Sequence, residues 1–156
     1  MPKPYPEGVP PEWFMEAEDA EVYLKPNRGF AYLASPYSHP LTEVVNKRYD
    51  AALHATAYLL KHHVWVYSPI VHCHELAFTF DLPLNFDFWT DYNFAMLHKA
   101  DNVIVLGLEG WATSKGVGAE IQEAKRLGLK IKILERRNRD YTFRVYGAPL
   151  DASPNP

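Results

Sequence analysis

The apolar positions of the chain form two alternating kinds of segment, short continuous runs and longer stretches with a helical period. The runs predict buried strands over residues 30–34, 64–69, 102–108 and 130–134, and alternation predicts a fifth, edge strand over 141–146. The longer stretches predict helices over residues 42–62, 86–99 and 116–128. This order predicts the α/β class: a single doubly wound, Rossmann or flavodoxin-like domain with a mainly parallel five-stranded sheet.

Local signals mark the ends and faces of these helices. Thr42 is predicted to cap the first helix, and Gly128 is predicted to end the third. In the second helix four residues are spaced at helical intervals: Trp89, Asn93, Met96 and Leu97.

The distribution of proline predicts how the chain is organised around this domain. Prolines at positions 2, 4, 6, 10, 11 and 26, without long periodicity, predict a proline-rich N-terminal arm over 1–28. The domain itself is expected over 29–147, and a loose C-terminal tail over 148–156.

Composition narrows the class of partner. The 156 residues are 47% hydrophobic and 22% charged, which is typical of a globular protein, and the net charge of −3 argues against binding to a nucleic-acid polymer. The single cysteine, Cys73, excludes an internal disulfide and fits a reducing cytosol. With no apolar run of membrane length and no signal-peptide pattern, we expect a cytoplasmic protein without a membrane partner.

The stretch SKGVGAEIQEA, residues 114–124, carries the main candidate chemistry. It follows a predicted strand and opens a helix, where free amides and the helix dipole favour an anion such as phosphate. Ser114 adds a hydroxyl, and Gly116 and Gly118 allow close approach of a ligand. Tight packing of the turn explains the glycines equally well. Glu120 either interacts favourably with the helix dipole or is a carboxylate nucleophile of the kind used on glycosidic carbons.

Other candidates come from the segments that follow each predicted strand, because ligands of such sheets bind beyond the strand ends. After the first strand these are Ser35 and Pro36, and after the second they lie within residues 68–74. There VHCHE invites a metal interpretation, but no second ligand cluster accompanies it, so His72 is a better candidate for contact with a base or phosphate. Cys73 is expected to be a small buried residue.

Four motifs give the chain a resemblance to a known group of proteins: AYLASP, FWTDYNFAMLHKADNVIVL, SKGVGAEIQEA and GLKIKIL. Their order and spacing, over roughly residues 30–135, resemble the nucleoside 2-deoxyribosyltransferase-like superfamily, near the deoxynucleoside 5′-monophosphate N-hydrolases. Within it the chain most closely resembles a branch filed as a domain of unknown function.

The resemblance implies catalytic roles for three residues. Glu120 would attack the anomeric carbon of the sugar, Tyr32 would orient that carboxylate, and Asp91 would assist departure of the base. The helix N-terminus is expected to keep Glu120 ionised. Position alone favours Tyr32 as a core residue and Asp91 as part of a solvated helix face, so only the resemblance gives them catalytic roles.

The resemblance also implies the substrate. Ser114 stands where transferases that act on free nucleosides carry aspartate and the nucleotide hydrolases carry serine, which favours a 5′-phosphate on electrostatic grounds as well. Apart from the resemblance, Arg48 is a candidate for contact with the phosphate or for pairing with a surface acid, and Trp89 for stacking on the base or for packing.

The expected activity is hydrolysis of the N-glycosidic bond of a (deoxy)nucleoside 5′-monophosphate. The alternatives are a nucleoside 2-deoxyribosyltransferase and a non-catalytic nucleotide-binding module. No cofactor and no metal are expected, and the family implies a homodimer or homotetramer.

Overall fold

The computed structural model describes residues 14–15, 24–137 and 142–148, with side chains over 24–135. The strands are β1 (Phe14–Met15), β2 (Ala31–Ala34), β3 (Val66–Tyr67), β4 (Asn102–Leu106), β5 (Lys130–Arg137) and β6 (Thr142–Ala148). The helices are α1 (Thr42–Lys61), α2 (Pro69–Phe80), α3 (Phe86–Leu97) and α4 (Lys115–Arg126), with a 3₁₀ turn at Trp111–Thr113. Most of the predicted arm, and the predicted tail beyond Ala148, lie outside the described residues.

The described strands form one sheet in the order β1-β6-β5-β4-β2-β3. Strands β3, β2, β4 and β5 are parallel, whereas β6 and β1 extend the sheet in antiparallel fashion. The predicted α/β class with a parallel sheet is confirmed for these four strands. The predicted number of five strands is wrong, because six are described and β1 lies within the arm. A strand of two residues has no periodicity that sequence could reveal, since its pairing with β6 defines it.

The central strands bury both of their faces, because successive side chains of a strand point to opposite sides of the sheet. Tyr32, Ala34, Val103 and Val105 pack in one cluster with residues of α3 and α4. Ala31, Leu33, Ile104 and Leu106 pack in a second cluster with residues of α1. Helices therefore cover both faces of the sheet. Because both faces are buried, the sequences of β2 and β4 are continuous apolar runs.

The strand order places a crevice between β2 and β4. The chain passes from β2 to the edge strand β3 and then returns across β2 to form β4. The connections that leave β2 and β4 thus run in opposite directions, and their carboxyl ends leave an open space between them. This is the point of the sheet at which side chains from several connections meet.

The helix α2 is absent from the sequence predictions, which end the second strand at Pro69. In the structure Pro69 is the first residue of α2, and the Ser68 side chain accepts a hydrogen bond from the Val71 N–H at 3.2 Å. Proline suits the first turn of a helix because it lacks an N–H that would stay unpaired there. The proline read as a strand end is therefore a helix start, and β3 is shorter than predicted.

The helix ends agree with the sequence in part. Thr42 is the first residue of α1 and not its cap; Leu41 takes the cap position without a side-chain hydrogen bond, so that prediction is wrong. Gly128 follows α4 with a φ of 73°, a left-handed conformation that favours glycine, as predicted. None of the helices in the described part of the chain combines the length and apolar character needed to cross a membrane.

Candidate functional site

A cavity of about 440 Å³ lies at the carboxyl ends of the parallel strands. Its walls come from the segments after β2 and β4, from Arg48 of α1, from one side of α2, and from residues 86–93 of α3. The start of α4 completes it, from Ser114 to Gly116 together with Glu120. The segment that opens α4 and the crevice of the sheet therefore belong to one site.

Tyr32 and Glu120 share a hydrogen bond beside this cavity. The Tyr32 hydroxyl donates to Glu120 Oε2, although the two residues are 88 positions apart. Tyr32 is fully buried on β2, and Glu120, which lines the cavity, is only 5% exposed. A rigid strand thus fixes the orientation of the one buried carboxyl group among the described residues.

The environment of this pair sets its protonation. Burial raises the pKa of Glu120 to about 8, and the hydrogen bond from Tyr32 acts in the opposite direction. Burial, followed by the charge of Glu120, raises the pKa of Tyr32 well above its ordinary value, so Tyr32 keeps its proton and remains the donor. In the free protein Glu120 is mostly protonated near pH 7 and becomes a carboxylate as the pH rises through about 8.

The helix dipole does not hold Glu120 ionised, contrary to the sequence-based expectation. The first turn of α4 contains no acidic residue, because the helix begins at Lys115 and Glu120 falls in its second turn. The stabilising effect of a helix N-terminus falls off within that first turn. Burial therefore dominates the pKa of Glu120.

The other predicted residues of this segment lie at the start of α4. Ser114 caps the helix, since its hydroxyl oxygen accepts from the Val117 N–H at 3.2 Å, and it lines the cavity. Gly116 also lines the cavity, and a Cβ added there would approach Phe86 Cδ2 to 3.1 Å. Gly116 thus makes room for an aromatic ring of α3, whereas Gly118 lies outside the cavity wall.

The structure separates Asp91 from the other candidates for catalysis. Asp91 is exposed on α3 and is not among the residues that line the cavity. Asn93, two residues further on, is buried, lines the cavity and has no hydrogen-bond partner for Oδ1 among the described residues. The sequence contained a signal for this, because Asn93 lies at helical spacing from Trp89 and Leu97.

Some of the remaining binding candidates line the cavity, and others do not. Ser35, Trp89 and Arg48 line the cavity, and Arg48 donates to the backbone oxygen of Ser38 at 2.9 Å. Pro36 is buried outside the cavity wall. His72 is exposed on α2, where it stacks on Tyr92 and hydrogen-bonds to its hydroxyl at 3.0 Å, and it does not line the cavity.

An aromatic cluster around His74 lines the cavity and is not predicted from sequence. His74 stacks on Tyr49 with ring centroids 3.9 Å apart and shares a hydrogen bond with the Tyr37 hydroxyl. Burial lowers the pKa of His74 and raises that of Tyr37 to about 12. Cys73 is buried, as expected, and burial raises the pKa of its thiol to about 11, which leaves little reactive thiolate.

The VHCHE segment belongs to the helix α2, where helical spacing separates its side chains. Within the part of the chain that the structure describes, no three His, Cys, Asp or Glu side chains are grouped so that they could hold a metal ion. One of the two histidines faces the cavity and the other contacts Tyr92.

Of the comparisons with known proteins, one gives a match. No curated protein matches the chain. The sequence model of one family matches residues 29–136, from just before β2 to near the end of β5. This stretch is most of the chain and includes Tyr32, Asn93, Ser114 and Glu120. The family's description names no activity. The chain therefore belongs to the family described as domain of unknown function DUF1937.

Proposed function

We propose that this protein hydrolyses the N-glycosidic bond of a (deoxy)nucleoside 5′-monophosphate, with Glu120 as the nucleophile. The observation that carries the proposal is the hydrogen bond from Tyr32 to the buried Glu120 carboxyl group in the wall of a cavity of about 440 Å³. Cavities of roughly 300–1,000 Å³ hold small-molecule ligands. The resemblance to the nucleoside deoxyribosyltransferase-like superfamily, and a doubly wound, flavodoxin-like classification of the sheet, are part of this proposal.

The reaction follows from a carboxylate beside a sugar. A Glu120 oxygen forms a bond to the anomeric carbon while the bond from that carbon to the base nitrogen breaks, and the electron pair leaves with the base. A water molecule then attacks the same carbon and releases Glu120 as a carboxylate. One proton of that water ends on the departed base and its hydroxyl ends on the sugar, so the products are free base and sugar 5-phosphate.

Two cations and a helix start support the phosphate end of this substrate. Arg48 and Lys115 both line the cavity, and Ser114 keeps a hydroxyl proton to donate while its oxygen caps α4. Lys115 also pairs with Asp87 at 3.2 Å on the exposed rim, so part of its charge is already compensated. Arg48 and the start of α4 therefore carry most of the attraction for a phosphate group.

The protonation of Glu120 gives the pH dependence that the proposal requires. The nucleophile is the carboxylate, and the pKa of Glu120 is about 8 in the free protein. Activity is therefore expected to rise with pH through about 8, because the reactive form becomes populated there. The Tyr32 hydroxyl stabilises the carboxylate and so increases the reactive fraction near neutral pH.

A second candidate, a nucleotide-binding module without catalysis, is favoured by the same property of Glu120. A carboxyl group that is mostly protonated at pH 7 is a hydrogen-bond donor and a poor nucleophile. Such a protein would be stabilised against unfolding by a nucleotide and would release no base at any pH.

The decisive experiment incubates the protein with a panel of nucleoside and deoxynucleoside monophosphates at pH 6 to 9 and separates free base by chromatography. We expect base release that Glu120→Gln abolishes without unfolding the protein. The control is Glu43→Gln, which makes the same change at an exposed position of α1 outside the cavity. Binding without release would favour the second candidate, and release only when a second base is supplied would favour a transferase.

A further inference from the structure

One face of α3 presents an ordered set of side chains to the cavity. Phe86, Trp89 and Asn93 all line it, and their spacing of three and four residues places them on the same side of the helix. Two aromatic rings are thus followed by one amide group. Aromatic faces beside an amide are the chemistry with which proteins hold unpaired bases.

Asn93 is the polar member of this face, and its side-chain oxygen accepts no hydrogen bond from the described residues. The residue is 7% exposed, and its Oδ1 has no partner among the described residues. Ser35, also 7% exposed and also in the cavity wall, has an unpartnered Oγ in the same part of the chain. Buried polar groups are nearly always hydrogen-bonded, because an unmade bond costs free energy. A ligand in the cavity would supply both missing partners.

The aromatic members are held in place before any ligand arrives. The Trp89 Nε1–H donates to the Pro83 carbonyl at 2.8 Å, and Phe88 packs against the Trp89 ring edge to face. Phe86 lies over Gly116, where any larger residue would press on its ring. Rings that are already fixed lose little entropy on binding, which favours stacking on a planar ligand.

We propose that α3 recognises the base of the substrate, with Asn93 as the residue that hydrogen-bonds to the base edge. The ligand is a planar heteroaromatic ring that packs on Phe86 and Trp89 and donates an N–H to Asn93 Oδ1. Ser35 pairs with a second polar group of the same ligand. This inference rests on the proposed function, since the base is part of the nucleotide, and it gives the recognition role to Asn93 and not to the exposed Asp91.

The test separates recognition of the base from recognition of the sugar phosphate. Binding is measured by calorimetry in the Glu120→Gln protein, which leaves the nucleotide intact, with nucleoside monophosphates of the four bases and with ribose 5-phosphate and deoxyribose 5-phosphate. Asn93→Leu is expected to lower the affinity for the nucleotide that binds best by about 5- to 10-fold. The affinity for both sugar phosphates should not change. The control, Asn46→Leu, changes an exposed residue of α1 and is expected to alter neither.

A second readout distinguishes a ligand contact from a structural role. Because Asn93 Oδ1 has no partner in the free protein, Asn93→Leu is expected to keep or raise the unfolding temperature without ligand. If the leucine variant does not fold, Asn93→Ala, which removes the amide without adding bulk, takes its place in the binding measurements. This variant is expected to lower the affinity for nucleotides and to leave the affinity for sugar phosphates unchanged.

Each other outcome overturns the inference. An equal loss of affinity for nucleotides and for sugar phosphates would mean that Asn93 contacts the sugar or the phosphate. Unchanged affinity with a lowered unfolding temperature would mean that the residue is structural. If nucleotides bind neither the Glu120→Gln protein nor the wild type, the proposed function itself fails and base recognition by α3 fails with it.

Discussion

Replacing Tyr32 by phenylalanine tests the central pair of the site with the smallest possible change. The ring that fills the core remains, and only the hydroxyl that donates to Glu120 is lost. The carboxyl group stays buried without that donor, so its charged form loses stabilisation. The pKa of Glu120 in Tyr32→Phe is therefore expected to rise above its value of about 8.

The size of the effect follows from the kind of bond removed. A hydrogen bond to a charged group contributes about 1.5–3 kcal/mol, and a change of one pH unit in a titration midpoint corresponds to about 1.4 kcal/mol. The Glu120 midpoint should thus move upward by roughly one to two pH units. Near neutral pH the carboxylate fraction, and the proposed cleavage with it, should fall about 10- to 100-fold.

The measurement does not depend on activity. The Glu120 carboxyl group can be followed across pH by infrared difference spectroscopy or by carbon NMR of labelled glutamate, with Glu120→Gln identifying its signal. Tyr37→Phe is the control, because Tyr37 lines the cavity but bonds to His74. A midpoint that stays in place or moves downward in Tyr32→Phe would refute the assigned hydrogen bond.

Three further predictions concern stability, phosphate binding and assembly. Since the pKa of Glu120 rises from 4.5 to about 8 on folding, wild type should lose stability relative to Glu120→Gln between these pH values, by roughly 1.4 kcal/mol per pH unit. Urea unfolding at pH 5 and 8.5 checks this, and an equal difference at both would contradict it. Ser114→Asp keeps a good helix cap but places a charge near the phosphate, costing roughly 1–4 kcal/mol. A nucleoside monophosphate should bind more weakly, and the matching nucleoside should not; calorimetry showing no loss would exclude the phosphate contact. Light scattering should give a dimer or tetramer at micromolar concentration, and a monomer would disprove that.

The α/β class, the parallel strands and the opening of α4 were accessible from sequence because they depend on local pattern. Continuous apolar runs identify β2 and β4, and a serine followed by glycines before a helical stripe identifies the cavity-lining turn at Ser114. The two residues of β1 have no such pattern, since only their pairing with β6 defines them. Pro69 is compatible both with a strand end and with a helix start, and sequence alone favoured the wrong one.

The candidate site was harder to predict because it depends on which side of a helix faces inward. Asp91 and Asn93 are both polar and two positions apart, so they lie on different sides of α3. The resemblance favoured Asp91, whereas the structure buries Asn93, on the helix face that it shares with the core residue Leu97. The shift of the Glu120 pKa was equally inaccessible, because it arises from burial by residues far apart in the chain.

The two edges of the sheet have a consequence for self-association. Both β1 and β3 contain only two residues, whereas their neighbours β6 and β2 are longer. An edge strand presents unpaired N–H and C=O groups that can template pairing with another chain, and very short edges restrict that process. Removal of the first 15 residues would turn the seven-residue β6 into an edge. The shortened chain would then be prone to strand-to-strand aggregation, even though the cavity would keep every wall that the described residues form.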